Sequence, residues 1–156
     1  MPHPRDEIEA TVERYLELRF AAIRGERPWT DLAEVLTDEV VFTDSVWGTH
    51  EGKDAVIQFL HDSMMGLEDW DFPHLWQLID GDTVVLGWAN RLPGQRADGT
   101  PYDIPGLSVL RYAGDGRFES EVDLYSESQL QAVWKESGWT PTTQMSVPPP
   151  DRTWSW

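Results

Sequence analysis

The residues best suited to chemistry begin with an acid among apolar neighbours. Asp44 follows the apolar run 40–42, which is typical of a half-buried strand. Because side chains alternate along a strand, Asp44 shares a face with Phe42, and Val46 and Trp47 come soon after it. Desolvation raises the pKa of a carboxyl, as a general base working near neutral pH requires. The sequence therefore predicts a base at Asp44, with an aspartate that only caps its own turn as the alternative.

Further acids alternate along the predicted strand 117–125. A period of two puts Glu119, Glu121, Asp123 and Tyr125 on one face and the apolar Phe118, Val122 and Leu124 on the other. In one interpretation the acids line a pocket beside Asp44, where mutual repulsion raises one pKa and creates an acid/base pair. In the other they face water while the apolar face packs inside. The alternation alone leaves both open.

Two polar or aromatic side chains on the predicted strand Thr83–Arg91 are candidates for contact with a substrate. Trp88 and Asn90 share a face, where they would supply an aromatic wall and an amide donor. Arg91 falls on the opposite face unless a bulge intervenes.

Phe42 and Trp47 are further candidates for the pocket wall, although a large aromatic residue more often belongs to a core or a dimer interface. His61, on the predicted helix after Gly52, is placed where it could reach the cavity. The histidines are too scattered to form a ligand set, and the chain has no cysteine. The sequence predicts neither a metal site nor a cofactor.

Helices come first and strands second. The predicted helices run from Asp6 to Gly25, from Thr30 or Asp31 over a short stretch, and from Gly52 to Met65. Tyr15 lies on the core face of the first. The predicted strands are the one ending at Asp44 and the ranges Phe72–Ile79, Thr83–Arg91, Tyr102–Tyr112 and Arg117–Tyr125. Residues 45–52 are predicted as a turn and residues 126–135 as one or two helical turns. This order is typical of an α+β fold.

The totals restrict the class of protein. A chain of 156 residues is large enough for one domain with its own core, which we expect over residues 1–135. Residues 136–156 form a Pro- and Trp-rich tail, predicted to be extended and docked. The formal net charge of −16 argues against nucleic acid or an anionic membrane as partner. No apolar run approaches the ~20 residues of a membrane span, so a cytoplasmic protein is expected.

The run Thr43–Val56, TDSVWGTHEGKDAV, resembles the matching turn of ketosteroid isomerase. That enzyme belongs to the NTF2-like superfamily, together with SnoaL-like polyketide cyclases and limonene epoxide hydrolases. The segment 98–125 is similar to the final hairpin of SnoaL-like domains. The resemblance implies an NTF2-like (cystatin-like) cone, in which N-terminal helices pack in a curved antiparallel sheet. It also implies a homodimer through the outer face of the sheet, and it gives Asp44 the role of proton-shuttling base.

The resemblance extends to individual residues of the other elements. It places Tyr15, within ERYL, where the isomerase has its oxyanion-hole tyrosine; a core tyrosine is the alternative. It places Ser108 where the isomerase has a protonated acid, and a serine hydroxyl donates less strongly. It favours Asp123, and less so Glu121, as pocket acids, because cyclases and epoxide hydrolases carry an acid on this strand. No Arg-x-Asp pair like that of the epoxide hydrolases falls on the predicted strands of the sheet.

The function implied is an isomerase- or cyclase-type enzyme acting on a small hydrophobic carbonyl compound. Asp44 would remove a proton next to the carbonyl, Tyr15 with Ser108 or Asn90 would hold the enolate oxygen, and Asp123 would return a proton. The alternative is a non-catalytic ligand-binding or dimerisation module, since a fold does not fix a function. Epoxide hydrolysis is a third hypothesis, which would require a water held between Asp123, Asn90 and another acid.

Overall fold

The computed structural model describes residues 1–156 and contains helices packed against one six-stranded sheet. The helices are α1 (Arg5–Ile23), a 3₁₀ helix (Trp29–Val35), α2 (Lys53–Met64) and α3 (Glu127–Ser137). The strands are β1 (Leu36–Asp44), β2 (Gly48–Glu51), β3 (His74–Asp80), β4 (Thr83–Gln95), β5 (Pro101–Gly114) and β6 (Arg117–Tyr125). The predicted α+β class is confirmed. No helix is long and apolar enough to cross a membrane.

The strand order in the sheet is β2-β1-β6-β5-β4-β3. Every neighbouring pair is antiparallel except β1 and β6, which run parallel and place Asp44 opposite Asp123. The predicted curved antiparallel sheet therefore contains one parallel seam. The two strands are joined by residues 45–116, which include α2 and the strands β2 to β5, so a parallel crossover is sterically allowed.

The segment after Asp44 contains a strand that the sequence prediction treated as part of a turn. β2 pairs antiparallel with β1, with Val41 opposite Glu51 and Asp44 opposite Gly48. Gly48 has a φ of +81°, which a residue with a side chain rarely adopts. The short hairpin therefore turns at a glycine and returns beside β1.

A β-bulge in β6 changes which side chains face inwards. Arg111 pairs with Ser120 and the next residue, Tyr112, pairs with Phe118, so β6 has one residue more than β5 at this point. Phe118 and Glu121 consequently lie on the same, inner face, and both are buried. The predicted separation of Phe118 from the acids is wrong, because strict alternation does not hold across the bulge. Leu124 lies on the outer face and is 38% exposed.

The main core lies between α1, α2 and the inner face of the sheet, and a smaller aromatic cluster closes the other end. In that cluster Trp70, Trp134 and Trp139 meet edge to face, with ring centroids 5.0–5.5 Å apart. α3 carries Trp134 and is a helix of 11 residues, longer than predicted. It ends at Gly138 in the left-handed conformation, which allows the chain to leave the helix.

The tail after α3 is extended and returns across the molecule to β2. The amide of Thr49 donates to the carbonyl of Thr153 (2.7 Å), and the amide of Ser155 donates to Oγ1 of Thr49 (2.8 Å). The indole Nε1 of Trp154 donates to the carbonyl of Asp44 (3.1 Å). The tail thus binds the strand and turn that carry Asp44.

We expect removal of residues 145–156 to lower the melting temperature by ~5 °C or more. The three tail hydrogen bonds contribute ~0.5–1.5 kcal/mol each, and 1 kcal/mol corresponds to ~2–4 °C in a chain of this size. Thermal unfolding followed by circular dichroism measures the change. Thr142→Ala is a matched control because this tail residue is exposed and makes no side-chain hydrogen bond. An unchanged melting temperature and unchanged ligand affinity in the truncated chain would contradict the expectation.

Candidate active site

One cavity of about 360 Å³ lies between the inner face of the sheet, α1, α2, α3 and the tail. Its walls are mostly apolar and rich in aromatic rings, among them Trp29, Phe42, Trp47, Trp70, Trp88 and Trp134. Residues 145–148 of the tail also line it. Apolar walls exclude water and strengthen electrostatic interactions between the polar groups inside.

Asp44 lies at the end of β1 and is 5% exposed. Its Oδ1 accepts hydrogen bonds from the amides of Val46 (2.8 Å) and Trp47 (2.9 Å) and from the hydroxyl of Tyr125 (2.9 Å). Burial raises the pKa of Asp44, while these three donors oppose the shift because they stabilise the carboxylate. Asp44 therefore caps its own turn with one oxygen, and no hydrogen bond engages the other.

Glu121 and Asp123 form a second acidic group on β6. The hydroxyl of Tyr15 donates to Oε1 of Glu121 (2.6 Å), and the hydroxyl of Ser108 donates to Oδ1 of Asp123 (2.6 Å). Burial raises the pKa of Glu121 to about 7. Burial, and then the charge of Glu121, raise the pKa of Asp123 well above its usual range. Because both pKa values are raised, the pair of carboxyls keeps a proton near neutral pH.

The hydroxyl groups of Tyr15, Ser108 and Tyr125 already donate hydrogen bonds to carboxyls of the cavity. Burial, followed by the charge of a neighbouring carboxylate, raises the pKa of both Tyr15 and Tyr125, so both remain protonated. Ser108 accepts from Nε1 of Trp88 (2.9 Å) and donates to Asp123. Tyr15 and Ser108 thus give their hydrogens to acids of the site, and a ligand oxygen would have to displace those bonds to use them.

Most residues singled out in the sequence meet in this cavity. Those that line it are Tyr15, Phe42, Asp44, Trp47, Trp88, Asn90, Ser108, Glu121 and Asp123. His61 does not: its side chain is 59% exposed and contacts Asp62. The expectation that His61 reaches the cavity is wrong, because α2 presents its apolar face inwards and this residue falls outside that face.

Two polar residues of the cavity, Arg19 and Tyr125, were not among the predicted site residues. Arg19 is 5% exposed, and its guanidinium carbon lies 5.5 Å from the centroid of the Trp88 ring. It follows Tyr15 by four residues, a spacing that places both on one face of a helix and could have revealed it. Tyr125 was assigned to the acidic face of its strand without a role, and it holds Asp44.

A family model described as a SnoaL-like domain matches residues 12–120, more than half of the chain. The chain belongs to this family. No curated protein matches it. No group of three or more histidine, aspartate or glutamate side chains is arranged to hold a metal ion.

Solved structures support the same fold. A steroid delta-isomerase from Pseudomonas aeruginosa is 25% identical, with a TM-score of 0.59, and the match covers 88% of this chain and 93% of that one. A proposed SnoaL-like polyketide cyclase from Shewanella putrefaciens is 18% identical, with a TM-score of 0.63, over 86% of this chain and 88% of that one. A protein with a ketosteroid isomerase-like fold from Catenulispora acidiphila, in complex with trimethylamine, is 22% identical, with a TM-score of 0.58, over 81% and 97%.

The raised pKa of Glu121 predicts a pH dependence of stability. Between its ordinary value of 4.5 and about 7, the folded protein keeps a proton that the unfolded chain releases. This retained proton stabilises the folded state. Its contribution to the free energy of unfolding is fully present below pH 4.5 and is lost as the pH rises through about 7. Relative to Glu121→Gln, we expect wild type to lose about 3 kcal/mol between pH 5 and 8.

Urea denaturation at several pH values measures this difference. Glu39→Gln is the control, because Glu39 is exposed and makes no side-chain hydrogen bond; its curve should follow wild type. Parallel pH curves for wild type and Glu121→Gln would contradict the assignment of a raised pKa.

Proposed function

We propose that the protein catalyses proton transfer at a carbon next to a carbonyl group in a small hydrophobic molecule, as isomerases and cyclases do. The observation that carries the proposal is the set of three carboxyls in one aromatic-lined cavity, with environments that separate their affinities for protons. Groups whose pKa values are pushed apart in this way can act as acid and base at the same pH.

Asp44 is the proposed base. Three hydrogen bonds to Oδ1 favour its charged form, and its other oxygen is free to accept a proton. Breaking the C–H bond of the substrate transfers the proton to Asp44, and the electron pair forms the carbon–carbon double bond of an enol.

The pair of Glu121 and Asp123 is the proposed acid. Because it holds one proton near neutral pH, it can give that proton to the carbonyl oxygen as the enol forms. Asp44 then returns its proton to the same carbon or to another, while the enol hydroxyl gives its proton back to the pair and the carbonyl re-forms. Return to a different carbon gives an isomer. By the resemblance to ketosteroid isomerase, Ser108 replaces a protonated acid; Asp123, its partner in the adjacent strand, would supply the acid instead.

A non-catalytic ligand-binding module is the second candidate, and one observation favours it. Asp44 caps its own turn through the amides of Val46 and Trp47, which is a sufficient structural role. Epoxide hydrolysis has less support, because Arg91 forms a two-pronged ion pair with Asp103 instead of contacting a cavity acid.

Deuterium exchange at enolisable positions tests the proposal. A panel from steroid enones to polyketide-like diketones is incubated in heavy water and read by mass spectrometry. We expect wild type to catalyse exchange of at least one compound and Asp44→Asn to lose ~10²-fold or more of the rate. Asparagine keeps an oxygen that can accept from Val46 and Trp47, so the turn should survive.

Asp54→Asn is the matched control, since Asp54 is exposed and makes no side-chain hydrogen bond; its rate should equal that of wild type. Tight binding of a panel member without exchange above buffer would contradict catalysis and favour the binding module.

We also propose a homodimer through the outer face of the sheet. Trp76, Leu78 and Leu124 expose 49%, 59% and 38% of their surfaces, and the strand registers put all three on that face. Light scattering should give twice the chain mass for wild type and a lower mass for Leu78→Glu, which places a charge in the interface. A monomeric mass for wild type would contradict the dimer.

A further inference from the structure

Arg19 is a buried cation without a hydrogen-bonding or ionic partner. It lines the cavity and is 5% exposed, yet it forms no hydrogen bond and no ion pair, and its Nη1 is fully enclosed. The side chain of arginine stays charged in proteins, and a buried charge is costly unless it is paired. The Arg19 guanidinium is therefore a donor group prepared for an acceptor that enters the cavity.

Asn90 supplies a second unused donor in the same cavity. It is 6% exposed, and its Nδ2 is buried without a hydrogen-bond partner. Asn90 follows Trp88 by two residues on β4, so both point to the inner face of the sheet. Since the guanidinium of Arg19 lies over the Trp88 ring, both donors belong to the wall around this indole.

The acids of the cavity do not satisfy these donors. The charges of Glu121 and Asp123 influence Arg19 through space, but neither carboxyl forms an ion pair with it. Their hydrogen bonds come from Tyr15 and Ser108 instead. The cavity consequently has two parts. One contains the acids that can transfer protons, and the other contains the unused hydrogen-bond donors of Arg19 and Asn90.

We infer that Arg19 and Asn90 form a subsite for a carboxylate on the ligand. A guanidinium presents parallel N–H groups that match the two oxygens of a carboxylate, and an amide can add a further donor. A carboxylate carries one negative charge, equal and opposite to that of Arg19, whereas a phosphate would bring ≈ −1.5 to −2 close to three acids. The ligand is then a hydrophobic keto acid. This assignment rests on the proposed function only for the keto group.

The probes are 4-oxo-4-phenylbutanoate and its naphthyl analogue, each compared with its methyl ester. The acid and the ester share a ring, a ketone and an enolisable carbon, and differ in the charge that the subsite recognises. Binding is measured by quenching of tryptophan fluorescence and by calorimetry. We expect wild type to bind the acids at least ~10-fold more tightly than the esters, the effect of a charged hydrogen-bonded pair.

Arg19→Gln should remove this preference, with a loss of ~10-fold or more for the acids and ~3-fold or less for the esters. Arg14→Gln is the matched control on the same helix, because Arg14 is exposed and pairs with Glu17 and Glu34; it should behave as wild type. A purely structural role of Arg19 would instead weaken acids and esters alike, and that result would overturn the inference.

Asn90→Asp is a second variant that keeps the size of the side chain. The new carboxylate would pair with Arg19 and occupy the subsite, so we expect acid binding to fall ~10-fold or more while ester binding and the melting temperature are retained. Unchanged acid binding in this variant, or equal affinity of wild type for acids and esters including no binding of either, would overturn the inference. Loss of deuterium exchange with the acid preference intact would reject only the proposed catalysis.

Discussion

The parallel pairing of β1 with β6 is the interaction on which the site depends. Its register sets Asp44 directly opposite Asp123. Neighbouring strands lie ~4.8 Å apart, so two acids in one register are forced close together on an apolar face. Like charges at this distance cannot both be ionised easily, and the charge of Asp44 is one cause of the raised pKa of Asp123. A slip of one residue would turn one of the acids to the opposite face.

Because of its bulge, β6 contributes side chains to both the main core and the cavity. Before it, Phe118 packs in the main core; after it, Glu121 and Asp123 face the cavity. Without the extra residue, Phe118 and Glu121 would point to opposite sides of the sheet. β6 therefore contributes an apolar side chain to the core and two acids to the cavity. Their separation along the strand, two residues, keeps both within reach of a shared proton.

The sequence was sufficient where the signal is local. The apolar face of α1 and the acid after the run 40–42 identify two elements and, on them, the residues Tyr15 and Asp44. It failed where the determinant is a distant contact: the parallel seam, the bulge and the short β2 all depend on pairing between remote segments. Arg19 was missed because charged residues are usually exposed. The neighbouring Phe20 is apolar and yet 37% exposed, so burial at these two positions is the reverse of what side-chain polarity predicts.

The resemblance to ketosteroid isomerase also places a limit on mechanism. The resemblance implies that Tyr15 and the residue at position 108 donate to an enolate oxygen. In this cavity Tyr15, Tyr125 and Ser108 each donate to a carboxyl, so hydroxyl hydrogens fix the acids in place. The mobile proton is then the one shared by Glu121 and Asp123, and the chemistry depends on how many protons the three acids hold. Because any nearby charge changes that number, a cation at Arg19 is part of the acid–base system as well as a docking point.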